Sequence, residues 1–311
     1  MKYDLIILGG GPGGVAAGIY AARKKLKSLL ITDMFGGQSL VSDDIRNWIG
    51  TPLISGLELS KRLEEHLRAQ DGSIEIREGD LATGIERLDA GGFRVTARSG
   101  TVFETRTLLL TTGSRRRKLN VPGEERFAGK GVMYCATCDA PLFQGKTVAV
   151  IGGGNSGLEA VVDLFHYSPK VYLLHRRDAL KGDPVTQEKI LSNPDQATVL
   201  YNAEIQEVLG DAAVEGLMYK DTKTGEMHRL AVQGIFVEIG AMPNSELVGQ
   251  FVERNAVGEI VVDGKTQRSS CTGIWAAGDV SDSPYKQNNI SVGDAIKAVL
   301  NINLFLHGNG K

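Results

Sequence analysis

Cysteine is scarce in this sequence. Three occur in 311 residues, Cys135, Cys138 and Cys271, which excludes a disulfide framework and makes a reducing compartment the expected setting. Surplus charge is also absent: 35 Lys and Arg stand against 37 Asp and Glu, a net charge of -2. Without extra cations to neutralise phosphates, no nucleic-acid partner is expected. No apolar run reaches the roughly 20 residues needed to cross a bilayer, so no membrane partner is expected either. Met1-Lys2-Tyr3-Asp4 enters an apolar strand without the pattern of a cleavable signal, and the expected location is cytoplasmic. The five histidines show no ligand spacing and there is no second cysteine pair, so no metal site is expected.

Glycine, by contrast, is plentiful, with 39 residues, and its placement is informative. Leu5-Ile6-Ile7-Leu8 runs into Gly9-Gly10-Gly11-Pro12-Gly13-Gly14, then an Ala-rich helix to Arg23, then the strand Leu29-Leu30-Ile31. This is a dinucleotide fingerprint inside a βαβ unit. Gly9 would make the tight turn, Gly11 would let the backbone approach a pyrophosphate, and Gly14 would permit close helix–strand packing. Pro12 and Gly13 complete the turn.

The pattern recurs. Thr147-Val148-Ala149-Val150-Ile151 leads into Gly152, Gly153, Gly154, Asn155, Ser156 and Gly157, a helix, and the strand from Val171. Each half also holds a later strand ending at a glycine: Leu108 to Thr111-Thr112-Gly113 in the first, Gly234 to Glu238-Ile239-Gly240 in the second. A third strand, Ile274-Trp275-Ala276, ends at Gly278-Asp279, which can offer carboxylate and backbone N–H groups to a ribityl chain or phosphate. The expected fold is therefore α/β, with two Rossmann-like dinucleotide-binding domains, the second inserted in the first. The expected boundaries are 1–113 with 245–311 for the outer domain and 114–244 for the insert. The crossings are Ser114-Arg115-Arg116-Arg117-Lys118, read as a solvated basic linker, and Met242-Pro243-Asn244.

Charge separates the two nucleotide sites. After the second strand of the insert stand His175, Arg176 and Arg177, with Lys181 close behind. Guanidinium forks favour a 2′-phosphate where an acid would repel it, so this site points to NADPH. The first site has Asp33 at the matching place, which suits an unphosphorylated ribose, as in FAD; the other reading of Asp33 is a turn residue before Gly36 and Gly37. Gln38 and Asn47 add amide donors without charge, fitting the pyrophosphate, ribose and ribityl oxygens of FAD.

Cys135-Ala136-Thr137-Cys138 can close a small disulfide at a helix start, where helix N–H groups also lower a thiolate pKa. Asp139 follows directly and is read as the acid/base beside the thiols, or as a helix cap. Cys271 is read as a small core residue.

These motifs together resemble the low-molecular-weight thioredoxin reductases over essentially the whole chain. The residues carrying the resemblance are Gly9 to Gly14, Gly36-Gly37-Gln38, Asn47, Cys135 to Asp139, Gly152 to Gly157, His175-Arg176-Arg177, Gly278-Asp279 and Tyr285-Lys286-Gln287, with Asn288 adjoining. The resemblance implies a homodimer that passes electrons from NADPH through FAD and the cysteine pair to thioredoxin or a thioredoxin-like protein. It also implies that Cys138 is the flavin-proximal thiolate, that Cys135 attacks the partner, and that the insert rotates between two states. Ser156-Gly157, Lys181 and Ala140-Pro141-Leu142-Phe143 depart from many members. Several segments are similar to the flavoprotein component of alkyl hydroperoxide reductase, whose nucleotide site is acidic where this one is basic. That component has an added N-terminal disulfide domain, which is not expected here. Two alternatives keep the scaffold: NADH or reduced ferredoxin as donor, or a dithiol oxidase. A flavin-binding redox sensor without turnover is the non-enzymatic reading.

Overall fold

The structure is a computed structural model that describes residues 2–42, 45–70 and 72–308. The chain forms two compact units, residues 1–115 with 242–311 and residues 116–241. The divisions fall a few residues from the expected 113/114 and 244/245.

The chain opens with β1 (Lys2–Gly10), α1 (Pro12–Arg23) and β2 (Ser28–Phe35). It continues through α2 (Gly56–Arg68), β3 (Ile74–Glu78), β4 (Ala82–Arg87), β5 (Phe93–Ala97) and β6 (Val102–Leu110). The sheet order is β3-β2-β1-β6-β5-β4, parallel from β3 to β6 and antiparallel over β5 and β4. Period-2 alternation buries both faces of β1. Leu5 and Ile7 cluster with Val15 and Ala17 of α1, whereas Ile6 and Leu8 cluster with Val95 and Phe103.

After β7 (Ser114–Arg116) the second unit contains β8 (Val132–Met133), α3 (Ala136–Asp139), β9 (Thr147–Ile151), α4 (Asn155–Leu164) and β10 (Lys170–Leu174). Next come α5 (Pro184–Leu191) and β11 (Ala197–Leu200), the antiparallel strands β12 (Ala203–Gly210), β13 (Val214–Asp221) and β14 (Met227–Leu230), and β15 (Gly234–Val237). Its parallel sheet runs β11-β10-β9-β15-β8. Val148 and Val150 face α4 residues Leu158 and Val161, while Ala149 and Ile151 face Val208, Val214 and Leu217 of the antiparallel sheet.

The chain then passes through β16 (Ala241–Pro243) to β17 (Ile274–Ala276) and α6 (Asn288–Leu306) in the first unit. β6 is shared along its length: Val102 to Thr105 pair with β5, and Leu108 to Leu110 pair with β17. Ala295, Ala298 and Val299 of α6 join the core formed by α1.

The duplication extends to register. In each βαβ unit the paired strand residues lie 23 positions apart, Leu5 with Ser28 and Thr147 with Lys170. The α/β architecture is thus two dinucleotide-type units, one inserted in the other.

Candidate active site

The first unit holds a cavity of about 520 Å³, within the roughly 300–1,000 Å³ range of small-ligand sites. It lies where β1 turns into α1. Gly9 has φ +111, and a Cβ there would sit 2.4 Å from the Thr111 carbonyl oxygen; a Cβ on Gly14 would sit 1.8 Å from the Gly9 oxygen. Side chains at these positions would push the turn away from β6. Gly11 is different, since a Cβ there meets nothing within 4 Å. Its backbone borders open space at the start of α1, where unpaired N–H groups favour an anion.

Gly9, Gly11, Pro12 and Gly13 line this cavity, as do Asp33, Gly37, Gln38, Thr112 and Gly113. Gly278, Asp279 and Asn288 close it from β17 and α6. Gly14 lies behind the wall, packed on Gly9. Asn47, Lys286 and Gln287 are not part of the lining. Asn47 donates to Gln287 Oε1 at 3.1 Å, and Lys286 is paired with Glu259 at 2.9 Å. Asp33 Oδ1 receives a 2.7 Å hydrogen bond from Arg98, which orients the carboxylate and uses part of its accepting capacity. Sequence reasoning missed Leu81, Ala82 and Leu247 in the lining, because apolar residues on separate connections carry no motif. Gln38 Nε2 donates to the Ser114 carbonyl oxygen. The set of backbone N–H groups, amides and a few apolar side chains, with an uncrowded Gly11, fits an elongated dinucleotide such as FAD.

The second unit repeats the turn with matching distances. A Cβ on Gly152 would lie 2.2 Å from the Glu238 carbonyl oxygen, and one on Gly157 would lie 1.9 Å from the Gly152 oxygen. Gly154 is open, like Gly11. Lys181 N–H donates to the Gly153 carbonyl at 2.7 Å, and Asp183 N–H donates to Asn155 Oδ1 at 2.7 Å. These bonds hold the segment after β10 against the start of α4. Ser156, Arg176, Arg177 and Lys181 are exposed, and among the described residues the three cations form no ion pair. His175 instead is buried beneath Gly153, where burial, helped by the neighbouring cations and opposed by a hydrogen bond with the Ala179 backbone, lowers its pKa. Its ring lies under the turn, apart from the exposed basic cluster. Gly240 has φ +96 beyond β15, and its carbonyl accepts from Arg117 N–H at 3.0 Å.

On the same unit Cys135 and Cys138 form a disulfide with Cα atoms 5.3 Å apart. Cys135 is the N-cap of α3, and its carbonyl accepts from Cys138 N–H at 3.2 Å and Asp139 N–H at 3.0 Å. Cys138 is exposed, and Cys135 and Asp139 are half-buried. Upstream, Glu124 is 2 % exposed and accepts from Leu119 N–H, Asn120 N–H and Tyr134 Oη, fixing the residue before Cys135. Cys271 is buried in the core of the first unit, and burial raises its thiol pKa.

Glu238 was not marked by any motif, yet it stands at the junction of these features. It is 8 % exposed, and its Oε1 accepts from Ala136 N–H at 3.1 Å. Burial, with weaker help from Asp139 and Asp163, pushes its pKa up to about 7 against the opposing pull of Arg116 and the Ala136 N–H. The available signal was positional: Glu238 follows β15 directly, as Thr111 follows β6.

A family profile for pyridine nucleotide-disulphide oxidoreductases matches residues 3–296. An NADH dehydrogenase of Bacillus subtilis (strain 168) is 43 % identical over 298 residues, covering 96 % of this chain and 57 % of that protein. The F component of the alkyl hydroperoxide reductase of Pseudomonas putida is 44 % identical over 300 residues, again covering 96 % and 57 %. The chain therefore spans a little over half the length of these curated relatives. Among solved structures, a thioredoxin reductase from Streptococcus pyogenes MGAS5005 superposes with a TM-score of 0.91 at 31 % identity, covering 99 % of both chains. Among the described residues no helix is long and apolar enough to cross a membrane, and no cluster of metal-ligating side chains is found.

Proposed function

The chain belongs to the pyridine nucleotide-disulphide oxidoreductase family, and from that premise we propose that it passes electrons from NADPH through FAD and the Cys135–Cys138 pair to a disulfide of thioredoxin or a thioredoxin-like protein. The observation that carries this reading is the disulfide itself, formed on the unit that also bears the second Gly-rich turn and its exposed cations. When bound, FAD supplies two-electron exchange between a nicotinamide and a disulfide. In this reading the Gly9–Gly14 turn and the ends of β6 and β17 hold FAD, and the Gly152–Gly157 turn holds the nicotinamide nucleotide. Arg176, Arg177 and Lys181 bind its 2′-phosphate. Cys138 would be the sulfur that faces the flavin, Cys135 would attack the partner's disulfide, and Asp139 would hold the proton exchanged between solvent and sulfur. Assembly as a homodimer and a cytoplasmic location belong to the same reading.

The relative named NADH dehydrogenase favours a second donor, NADH on the same scaffold. Parallel steady-state assays with both nucleotides separate the two.

Replacing Cys138 tests the path. Cys138→Ser is expected to abolish nucleotide-driven reduction of a protein disulfide while leaving the flavin reducible. Turnover of the protein disulfide retained by that variant would exclude the pair as the route.

A further inference from the structure

Glu238 touches both pieces of chemistry on the second unit. Its backbone carbonyl lies under Gly152, at the base of the Gly-rich turn. Its carboxylate reaches the other way and accepts from the N–H of Ala136, the peptide that joins Cys135 to the rest of α3. The strand end thus ties the cysteine turn to the nucleotide turn through one residue. The carboxyl is buried, and acids and a cation surround it: Asp139 at the end of α3, Asp163 on α4 and Arg116 on β7.

Like charge governs what happens here when the disulfide opens. Breaking the Cys135–Cys138 bond with an electron pair leaves one thiol and one thiolate, and consumes one proton. A thiolate beside an ionised, buried carboxylate is disfavoured, so adding the sulfur's charge draws a proton onto the carboxylate. The second proton of the two-electron reduction then resides on oxygen rather than on sulfur.

We propose that Glu238 is a positioning residue of the dithiol, holding the Cys135–Cys138 turn through the Ala136 N–H and taking up a proton when the disulfide is reduced. Opening and closing of the pair is thereby linked to pH around neutrality. The inference rests on the redox role of the cysteine pair proposed above, but concerns a group outside the motif.

The test needs no nucleotide turnover. The full-length protein is reduced with dithiothreitol, a dithiol that becomes a disulfide as it gives up two electrons and two protons. Iodoacetamide adducts at Cys135 and Cys138 are then followed by mass spectrometry across pH, with buried Cys271 as internal control. Glu238→Gln keeps an acceptor for Ala136 N–H and removes the titrating charge. Its alkylation rate is expected to match wild type near pH 5.5, where the wild-type carboxyl is protonated, and to exceed it several-fold near pH 7.5, where the ionised wild-type carboxylate disfavours a neighbouring thiolate. A ratio that is constant with pH would overturn the proposal, since that is what a purely structural role gives. The wild-type profile supplies a second reading that requires no variant: it is expected to be broader than one ionisation, and a single-ionisation curve would also overturn the linkage. Failure of both NADPH and NADH to reduce the protein would instead remove the proposed function while leaving this chemical assay intact.

Discussion

Arg176 and Arg177 bear most directly on the choice of donor. They stand exposed just beyond β10 with no carboxylate partner among the described residues, so their hydrogen-bonding capacity is available to a ligand. Each charge-assisted contact to a phosphate contributes about 1.5–3 kcal/mol. Replacing both with Gln removes two such contacts and is therefore expected to raise KM for NADPH by at least about a hundredfold while changing KM for NADH little, in steady-state assays run with each nucleotide. Equal changes for the two nucleotides would mean that the arginines do not read the 2′-phosphate. His175, grouped with them in the sequence, has a different place. It is buried under Gly153, where burial lowers its pKa, so it packs beneath the turn while its neighbours stand exposed. Such a distinction depends on which way a strand residue points as the strand ends. Glu238 illustrates the same limit: an acid just past an apolar strand carries no motif, and its bond to Ala136 spans 102 residues.

At the scale of elements, the two glycine turns are built alike but their glycines do different work. Gly14→Ala would place a Cβ 1.8 Å from a backbone oxygen, and neither the α1 backbone nor β1 can yield without opening the turn. The expected cost is on the order of 1–3 kcal/mol or more, seen as a lower Tm together with lost flavin content. Gly11→Ala meets nothing within 4 Å and is expected to keep the Tm of the flavin-free protein while weakening flavin retention. Equal Tm losses in the two variants would contradict this division. Most of this architecture was legible in the sequence, because an apolar run, a Gly-rich turn and an Ala-rich helix are local signals. The equal 23-residue register makes the repetition a structural fact as well as a pattern. The far wall of the cavity in the first unit was not legible. Leu81 and Ala82 reach it from the entry into β4, and Leu247 from the chain after β16, so folding alone brings them together. Asn47, Lys286 and Gln287, which the sequence offers as flavin ligands, are not among the residues lining the cavity: Asn47 donates to Gln287 and Lys286 pairs with Glu259.

For the whole molecule, the proposed electron path takes two dinucleotide turns and one cysteine pair in series. The chain visits the first unit, completes the second, and returns at 242, so FAD and the pair are assigned to different units of one polypeptide. Family membership supplies the oxidoreductase class, and the exposed cations are the ground on which NADPH is proposed as the donor. The central claim is that the Cys135–Cys138 bond lies on the path. It is tested most directly by anaerobic titration of the flavin-loaded protein with NADPH, counting alkylatable thiols at Cys135 and Cys138 at each addition. The protein is expected to take up one two-electron equivalent beyond what the flavin alone consumes, with both thiols appearing in step with it. A titration that ends when the flavin is reduced, with the Cys135–Cys138 disulfide still closed, would contradict the claim.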